Sequence, residues 1–364
     1  MLSYTSAVTI ALDATPLTVS TGGIGRYTLE LARALASEYP DDQYWLLSDQ
    51  MFPALHGLPN LHSGDGPRNP VERKWWSWGL DREMRRRGVD LFHGTDYSVP
   101  YVPLRPSVMT LHDLSPWLDP AWQPGASRVR RRTPLLLRMG LATMVITPSE
   151  TVRRSAMEKF RLSPDRVVAV PLAAGELFRP PLAADKPRGN PYFLSVGTCE
   201  PRKNLARLVD AWREVRKTVA VDLVLAGRDH DHLEEHGLRV LGEVPDSDLP
   251  GLYAGALACV CPSLYEGFGL PVLEAMQCGA LVITSRDPAI VEVSGGVNHR
   301  AALHVDAEDT AALAEAMRAV ATNSGDFDDV RQRALRRASQ FSWRKTARLT
   351  RDVYEAATRA FSHS

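Results

Sequence analysis

The stretch PSLYEGFGLPVLEAMQCG, residues 262–279, decides how half of this chain folds. It closes the apolar run LACVCPS, which reads as a buried strand. Glu266 then falls in a tight turn with Gly267 and Gly269. Pro271 suits the first turn of a helix, where its missing N–H costs nothing. Val272, Leu273, Glu274, Ala275 and Met276 continue that helix, and Gly279 suits its C-terminal cap. A strand running through a glycine turn into a helix leaves the first helical N–H groups unpaired, a ready site for a diphosphate or sugar oxygens. Helical side chains lean toward the N-terminus, so Glu274 is expected to reach back to the same place. Two carboxylates would then bracket one ligand, and their acceptor oxygens suit sugar and ribose hydroxyls. The plainer alternative is a turn residue at Glu266 and a Glu274 that only complements the positive helix end.

Working outward, SVGTCEPRKNLARLVDAW (195–212) repeats the grammar of strand, glycine turn and helix. Arg202 and Lys203 stand where a diphosphate would bridge them, and a leaving diphosphate needs positive charge as its bond breaks. The segment STGGIGRYTLEL (20–31) follows the strand AVTIALD and offers a third such turn, with Gly22 and Gly23 before a helix that Pro40 stops. Asp13 ends the preceding strand, either facing the same cleft or capping the strand end. In VMTLHDLSPW (108–117) an apolar strand delivers His112 and Asp113 to its C-terminal end, the ligand side of a parallel sheet. His93, in FHGTDYSVP, ends another strand and is a candidate for lining an acceptor cleft.

The 364 residues suit two domains of about 150–200 residues each. Short apolar runs alternate with helical patterns on both sides of a proline-rich stretch, residues 178–191, the pattern of two parallel sheets with crossover helices. The expected boundaries are a first domain over 1–177, a linker over 178–191, a second domain over 192–341, and a last helix over 342–364 that crosses back to the first. Lys plus Arg equals Asp plus Glu, 43 each, a balance that points to no polyanionic partner such as nucleic acid. Four scattered cysteines read as free thiols of a reducing compartment, not as a metal set. The N-terminus lacks a basic segment before a long apolar core, and no apolar run approaches ~20 residues, so neither an export signal nor a membrane span is expected. Two arginine-rich segments stand out: VERKWWSWGLDREMRRRG (71–88), with Trp75, Trp76 and Trp78, and RVRRRTPLLLR (128–138). Each reads either as a solvated helix face over packed apolar residues or as a peripheral contact with the inner membrane surface.

The string at 262–279 resembles the donor-binding motif of family-4 retaining glycosyltransferases of the GT-B type, bacterial mannosyltransferase-like members among them. That resemblance covers nearly the whole chain and is strongest over residues 195–284. It implies two facing Rossmann-like domains with an interdomain cleft. It places Glu266 on the donor hexose, Glu274 on the nucleotide ribose, and the backbone amides of Phe268, Gly269 and Leu270 on sugar and phosphates. It places Gly22 and Gly23 beside the donor diphosphate, and His112 with Asp113 near the transferred sugar. Lys203 and Asn204 match its basic motif. Many members carry an arginine where Thr198 stands, so Arg202 is the alternative source of that charge. The implied substrates are a GDP- or UDP-hexose and a glycan or lipid-linked acceptor, with no metal and no other cofactor, in the cytoplasm. A GT-B-like sugar-nucleotide epimerase is the competing enzyme, and a two-domain sugar-binding protein the competing non-enzyme.

Overall fold

The computed structural model describes residues 7–18, 22–53, 55, 57–181, 190–230, 235–296 and 300–362. By its contacts the chain divides into two units. Unit 1 comprises Met1–Trp117, Gly125–Leu172 and Trp343–Ser364; unit 2 comprises Leu118–Pro124 and Ala173–Ser342. The chain passes between them after Leu172, upstream of the expected boundary at 177. Phe178, at the head of the expected linker, is buried against Tyr253 of unit 2. Residues 182–189 of that stretch lie outside the described residues.

Unit 1 runs β1 (Thr9–Asp13), α1 (Gly23–Glu38), β2 (Gln43–Leu47), β3 (Leu61–Ser63), α2 (Leu80–Arg86), β4 (Leu91–Gly94), β5 (Ser107–Thr110), α3 (Ser115–Leu118), α4 (Ser127–Arg138), β6 (Met144–Thr147), α5 (Glu150–Phe160) and β7 (Val167–Ala169). Its strands pair in the order β3-β2-β1-β4-β5-β6-β7, parallel throughout. Unit 2 runs β8 (Tyr192–Val196), α6 (Leu205–Arg216), β9 (Asp222–Ala226), β10 (Leu238–Gly242), α7 (Leu249–Gly255), β11 (Ala258–Cys261), α8 (Leu270–Gln277), β12 (Val282–Ser285), α9 (Pro288–Val293), β13 (Leu303–Val305), α10 (Thr310–Thr322) and α11 (Asp328–Ala338). Its parallel order is β10-β9-β8-β11-β12-β13. Two edge strands, β3 and β13, were not anticipated; three residues carry too little periodicity to read. In each sheet the strand order reverses once, between β1 and β4 and between β8 and β11. Ligand crevices in open parallel sheets lie at such points, beyond the C-terminal strand ends.

The chain closes with α12 (Trp343–Ser362). Its buried Trp343, Thr346, Ala347, Thr350, Val353, Tyr354 and Ala357 recur at helical spacing, and this stripe packs on α1 and on β5 and β6 in unit 1. Arg351 Nε donates to Asp42 Oδ2 at 2.9 Å in the same seam.

His93 belongs to this seam, which corrects its expected place in a cleft. It is fully buried on β4. Nδ1 pairs with the Tyr354 hydroxyl at 2.7 Å and Nε2 with Thr110 Oγ1 at 2.8 Å. Thr110 Oγ1 also meets the Tyr27 hydroxyl at 2.8 Å. The chain Tyr27–Thr110–His93–Tyr354 thus joins α1, β5, β4 and α12. Both ring nitrogens are satisfied, as a buried polar group requires. Burial, with His112 nearby, pushes the imidazole pKa down to about 3. Its folded pKa is depressed, so the unfolded chain binds the extra proton below about pH 6.5 and stability falls with pH through the window down to 3. His93→Leu strands the buried Tyr354 hydroxyl and takes from Thr110 Oγ1 one of its two partners, and should cost about 3 kcal/mol at pH 7. The variant has no proton to exclude, so the gap to the parent should nearly vanish at about pH 4, where the parent has lost about 3 kcal/mol. Urea unfolding at both pH values measures this; a gap that stays constant contradicts it.

Candidate active site

Unit 2 carries its candidate site at the β8/β11 crossover. Gly197 follows β8, and Gly227 follows β9 directly against it. A Cβ on Gly227 would stand 2.0 Å from Gly197 O, so no side chain fits there. The chain then makes a 3-10 turn, Pro201–Lys203, and Asn204 turns left-handed (φ 60°) to open α6. Asn204 Nδ2 donates to Pro262 O at 3.1 Å and Ala307 O at 2.7 Å, fastening the basic turn to the end of β11. Beyond β11 the chain bends through Glu266, and Gly269 takes φ +91° so that α8 can start at Leu270. Among the described residues the N–H groups of Phe268, Gly269 and Leu270 meet no protein acceptor. Thr198, Lys203, Ser263, Glu266, Gly269 and Val272 help line an open pocket with about 350 Å³ of empty space.

Glu266 sits at the centre, 7% exposed. Its Oε1 accepts from Lys203 Nζ at 2.6 Å and from Ser263 Oγ at 2.7 Å; its Oε2 accepts from Arg202 Nη1 at 2.9 Å. Burial alone would raise this carboxyl, but Lys203, Arg202 and Ser263 outweigh it and hold the pKa down at about 2. The Glu266 backbone N–H reaches Asp287 Oδ2 at 3.3 Å, and Asp287 Oδ1 caps α9 at Ala289 N and Ile290 N. Burial pushes Asp287 up to about 6.

The basic pair divides its labour. Lys203 lines the pocket, its stem passing 3.8 Å from the position of a Cβ on Gly197. Arg202 is held away from it: Nη1 also donates to Tyr265 O at 3.3 Å, and Nε lies 2.7 Å from Glu200 Oε2, close but poorly aligned for a hydrogen bond. Thr198, not Arg202, shares the pocket wall with Lys203. Tyr265 itself stacks on Trp122, with centroids 5.9 Å apart and planes 23° apart.

Glu274 departs from its expected direction. It is 2% exposed, does not line the pocket, and accepts from the Tyr253 hydroxyl at 2.9 Å in the core beside Cys259 and Cys261. Tyr253 comes from α7, and this tertiary contact overrides the lean toward the helix start. The Phe268 side chain is likewise turned inward, edge-on to Phe341.

Unit 1 gathers its candidates at the C-terminal edge around β1, β4 and β5. His112 Nε2–H donates to Thr95 O at 2.7 Å, which fixes the tautomer and leaves Nδ1 as the acceptor. The Tyr27 ring meets its edge at 4.9 Å, and burial lowers its pKa. Asp113 Oδ1 accepts from Ser115 N at 2.8 Å and Ser115 Oγ at 2.6 Å, the local cap of α3. Asp13 Oδ1 accepts from Thr15 N and Thr15 Oγ1, again a local cap, and burial pushes its pKa up to about 6. Gly22 precedes α1, which begins at Gly23; residues 19–21 of that turn lie outside the described residues. Asp96, unread in the sequence, joins this edge: burial, then Asp13 and Asp113, push it up to about 7. Ser263 and Tyr253 were also missed. Ser263 stands three residues before Glu266, a separation that a turn can close, whereas nothing local links Tyr253 to Glu274.

Two parallel Rossmann-like units, with acid, lysine and helix start at one strand-order reversal, define an α/β enzyme with its site at the crossover. The family model for glycosyl transferases group 1 matches residues 190–323, and that for glycosyltransferase family 4 matches residues 21–173. The chain is 29% identical to the O-antigen chain mannosyltransferase B of Escherichia coli, over 93% of this chain and 97% of that one. It is 30% identical to a glycogen synthase of Mycobacterium tuberculosis, over 77% of this chain and 71% of that one. The structure superposes on a sucrose-phosphate synthase from Thermosynechococcus elongatus with a TM-score of 0.74 at 19% identity, covering 98% of this chain and 100% of that one. The chain belongs to glycosyltransferase family 4 and has the GT-B fold. It is a glycosyltransferase.

Proposed function

We propose that the protein is a retaining transferase that moves a mannose or related hexose from a GDP- or UDP-sugar to a glycan or lipid-linked acceptor, in cell-surface polysaccharide assembly on the cytoplasmic side. One observation carries this reading: Glu266, Lys203 and Gly269, whose amide meets no protein acceptor among the described residues, line one pocket at the strand-order reversal of unit 2. The likeness to an O-antigen mannosyltransferase over almost its whole length supports the sugar and the setting. The donor diphosphate lies against the amides of Phe268, Gly269 and Leu270, with Thr198 beside it. Lys203 neutralises the charge that develops as the glycosidic bond breaks. Glu266 accepts hydrogen bonds from hexose hydroxyls. The roles that family resemblance gives to Gly22, Gly23 and His112 belong to the same proposal, with His112 Nδ1 accepting from a sugar hydroxyl. The acceptor hydroxyl attacks on the face that the diphosphate leaves, and its proton passes to a donor phosphate oxygen. Configuration at the anomeric carbon is then retained.

A panel of GDP-, UDP-, ADP- and TDP-sugars followed by thermal unfolding should single out the donor. A ligand at 100 times its Kd stabilises by about 2.7 kcal/mol. Incubation with that donor and a glycan acceptor should release nucleoside diphosphate and a product of retained anomeric configuration. An isomerised donor without transfer, or an inverted product, overturns the proposal. The protein carries its own cations to the phosphate, so EDTA should leave the rate unchanged.

A further inference from the structure

The two arginine-rich segments have opposite fates. At the C-terminal end of α2 every arginine of the run 85–87 is neutralised: Arg85 by Asp81 at 2.8 Å, Arg86 by Glu72 and Glu83, Arg87 by Glu83 and Asp65 at 3.0 Å. Trp75 of that segment is buried and Trp76 half-buried. The surrounding acids neutralise its arginines and leave Trp78 as its exposed aromatic.

The segment SRVRRRTPLLLRMG, residues 127–140, holds five arginines and no acid. It forms α4, which buries Thr133, Leu136 and Leu137. Arg132 is used internally, donating to the Tyr101 hydroxyl at 2.7 Å. Arg128, Arg131, Leu135, Arg138 and Met139 fall at spacings of three and four and are all exposed, so they share one outer stripe. Among the described residues Arg128, Arg131 and Arg138 have no acidic partner. Leu135 and Met139 stand 55% and 61% exposed between them. The first turn of α4 contains no acid and has no side-chain cap, yet it carries cations against the positive helix end. This arrangement disfavours the helix locally and leaves an apolar pair exposed.

The stripe also continues sideways. Tyr101, held by Arg132, donates its backbone N–H to Trp76 O at 2.9 Å. That brings α4 beside the Trp segment, where Trp78 is 57% exposed, and the loop bearing exposed Leu104. Unpaired arginines flanking protruding Leu, Met and Trp match an anionic bilayer: the guanidinium groups meet lipid phosphates while the apolar tips enter the acyl boundary. No helix among the described residues is long and apolar enough to cross a membrane, so the contact lies in the interface plane.

We propose that the outer face of α4, with Trp78 and Leu104 beside it, docks on the surface of an anionic lipid bilayer. It rests on the proposed function only for its purpose, which is to bring the enzyme to a lipid-linked acceptor, and binding is measured without donor. The full chain should float with vesicles containing phosphatidylglycerol and not with pure phosphatidylcholine, and raised salt should release it. Exchanging Arg128, Arg131 and Arg138 for Gln should lower partitioning about 100-fold, at about fivefold per charge. Leu135→Glu with Met139→Glu should abolish flotation. Arg213→Gln, at an exposed and acid-paired arginine of unit 2, removes one charge, as each single α4 exchange does, and should leave binding unchanged where each of those lowers it about fivefold. All these variants should keep parental transfer to a water-soluble acceptor, so loss of docking is separable from failure of the enzyme assignment. Absence of flotation, equal binding to neutral vesicles, or insensitivity to the α4 changes overturns the proposal. So does a dimer in sedimentation that Leu135→Glu dissociates, because a second copy would then be the occupant.

Discussion

Glu266→Gln should all but silence transfer while tightening the grip on free nucleoside diphosphate. The first half follows from losing an acceptor for hexose hydroxyls at the reacting sugar, which should lower kcat by about 10²–10³. The second half is less intuitive. Lys203 Nζ and Arg202 Nη1 spend their charge on Glu266, at 2.6 and 2.9 Å. An arriving diphosphate must compete with that carboxylate, which stays ionised down to a pKa of about 2. Glutamine keeps the shape and removes the competing charge, leaving two partly buried cations without their shared anion. The variant should unfold at lower temperature when empty and gain more than the parent when diphosphate is added. Its Kd for the sugar-free nucleotide should fall about tenfold, or about 1.4 kcal/mol. Calorimetric titration decides this. An unchanged or weaker Kd would mean that the ion pairs do not compete with phosphate.

Lys203→Met should cost more than any change at Arg202 in the reaction itself. Lys203 lines the pocket, and in the proposed mechanism it is the cation that meets the leaving diphosphate. Removing one preorganised charge of this kind lowers turnover about 10²–10³-fold. Arg202 is tied to Glu200, Glu266 and the Tyr265 carbonyl, which in the proposed mechanism makes it a positioning residue for Glu266. Arg202→Lys should therefore lower thermal stability and raise KM with a smaller effect on kcat, whereas Lys203→Met should act mainly on kcat and on nucleotide affinity. Comparing kcat and KM for the two variants against the same donor tests the division; equal losses in kcat would contradict it.

The residues of this site were legible in the sequence to different depths. Glu266 could be placed because its position depends on a local feature, a glycine-lined turn between strand and helix. Lys203 and Asn204 could be placed for the same reason. Glu274 could not, because its direction is set by Tyr253, twenty-one residues away on α7. His93 and His112 show the same limit. Both end apolar strands, and nothing in either sequence neighbourhood says that α12 will supply Tyr354 to His93. One histidine became part of the core, and the other stayed at the strand edge.

By itself the sequence determined the alternation of strand and helix, the glycine turns at strand ends, the basic turn before α6 and the acid before α8, because each depends on residues within a turn or two of one another. Only the tertiary structure decided which charges meet. It gave Arg202 to Glu200 and Glu266, gave the arginines of α2 their acids, left Arg128, Arg131 and Arg138 of α4 without one among the described residues, and moved residues 118–124 into unit 2. The physical reason is the same in each case: chain periodicity fixes which face of an element is apolar, but an ionic or polar partner is chosen by what packs opposite, and that partner comes from distant sequence.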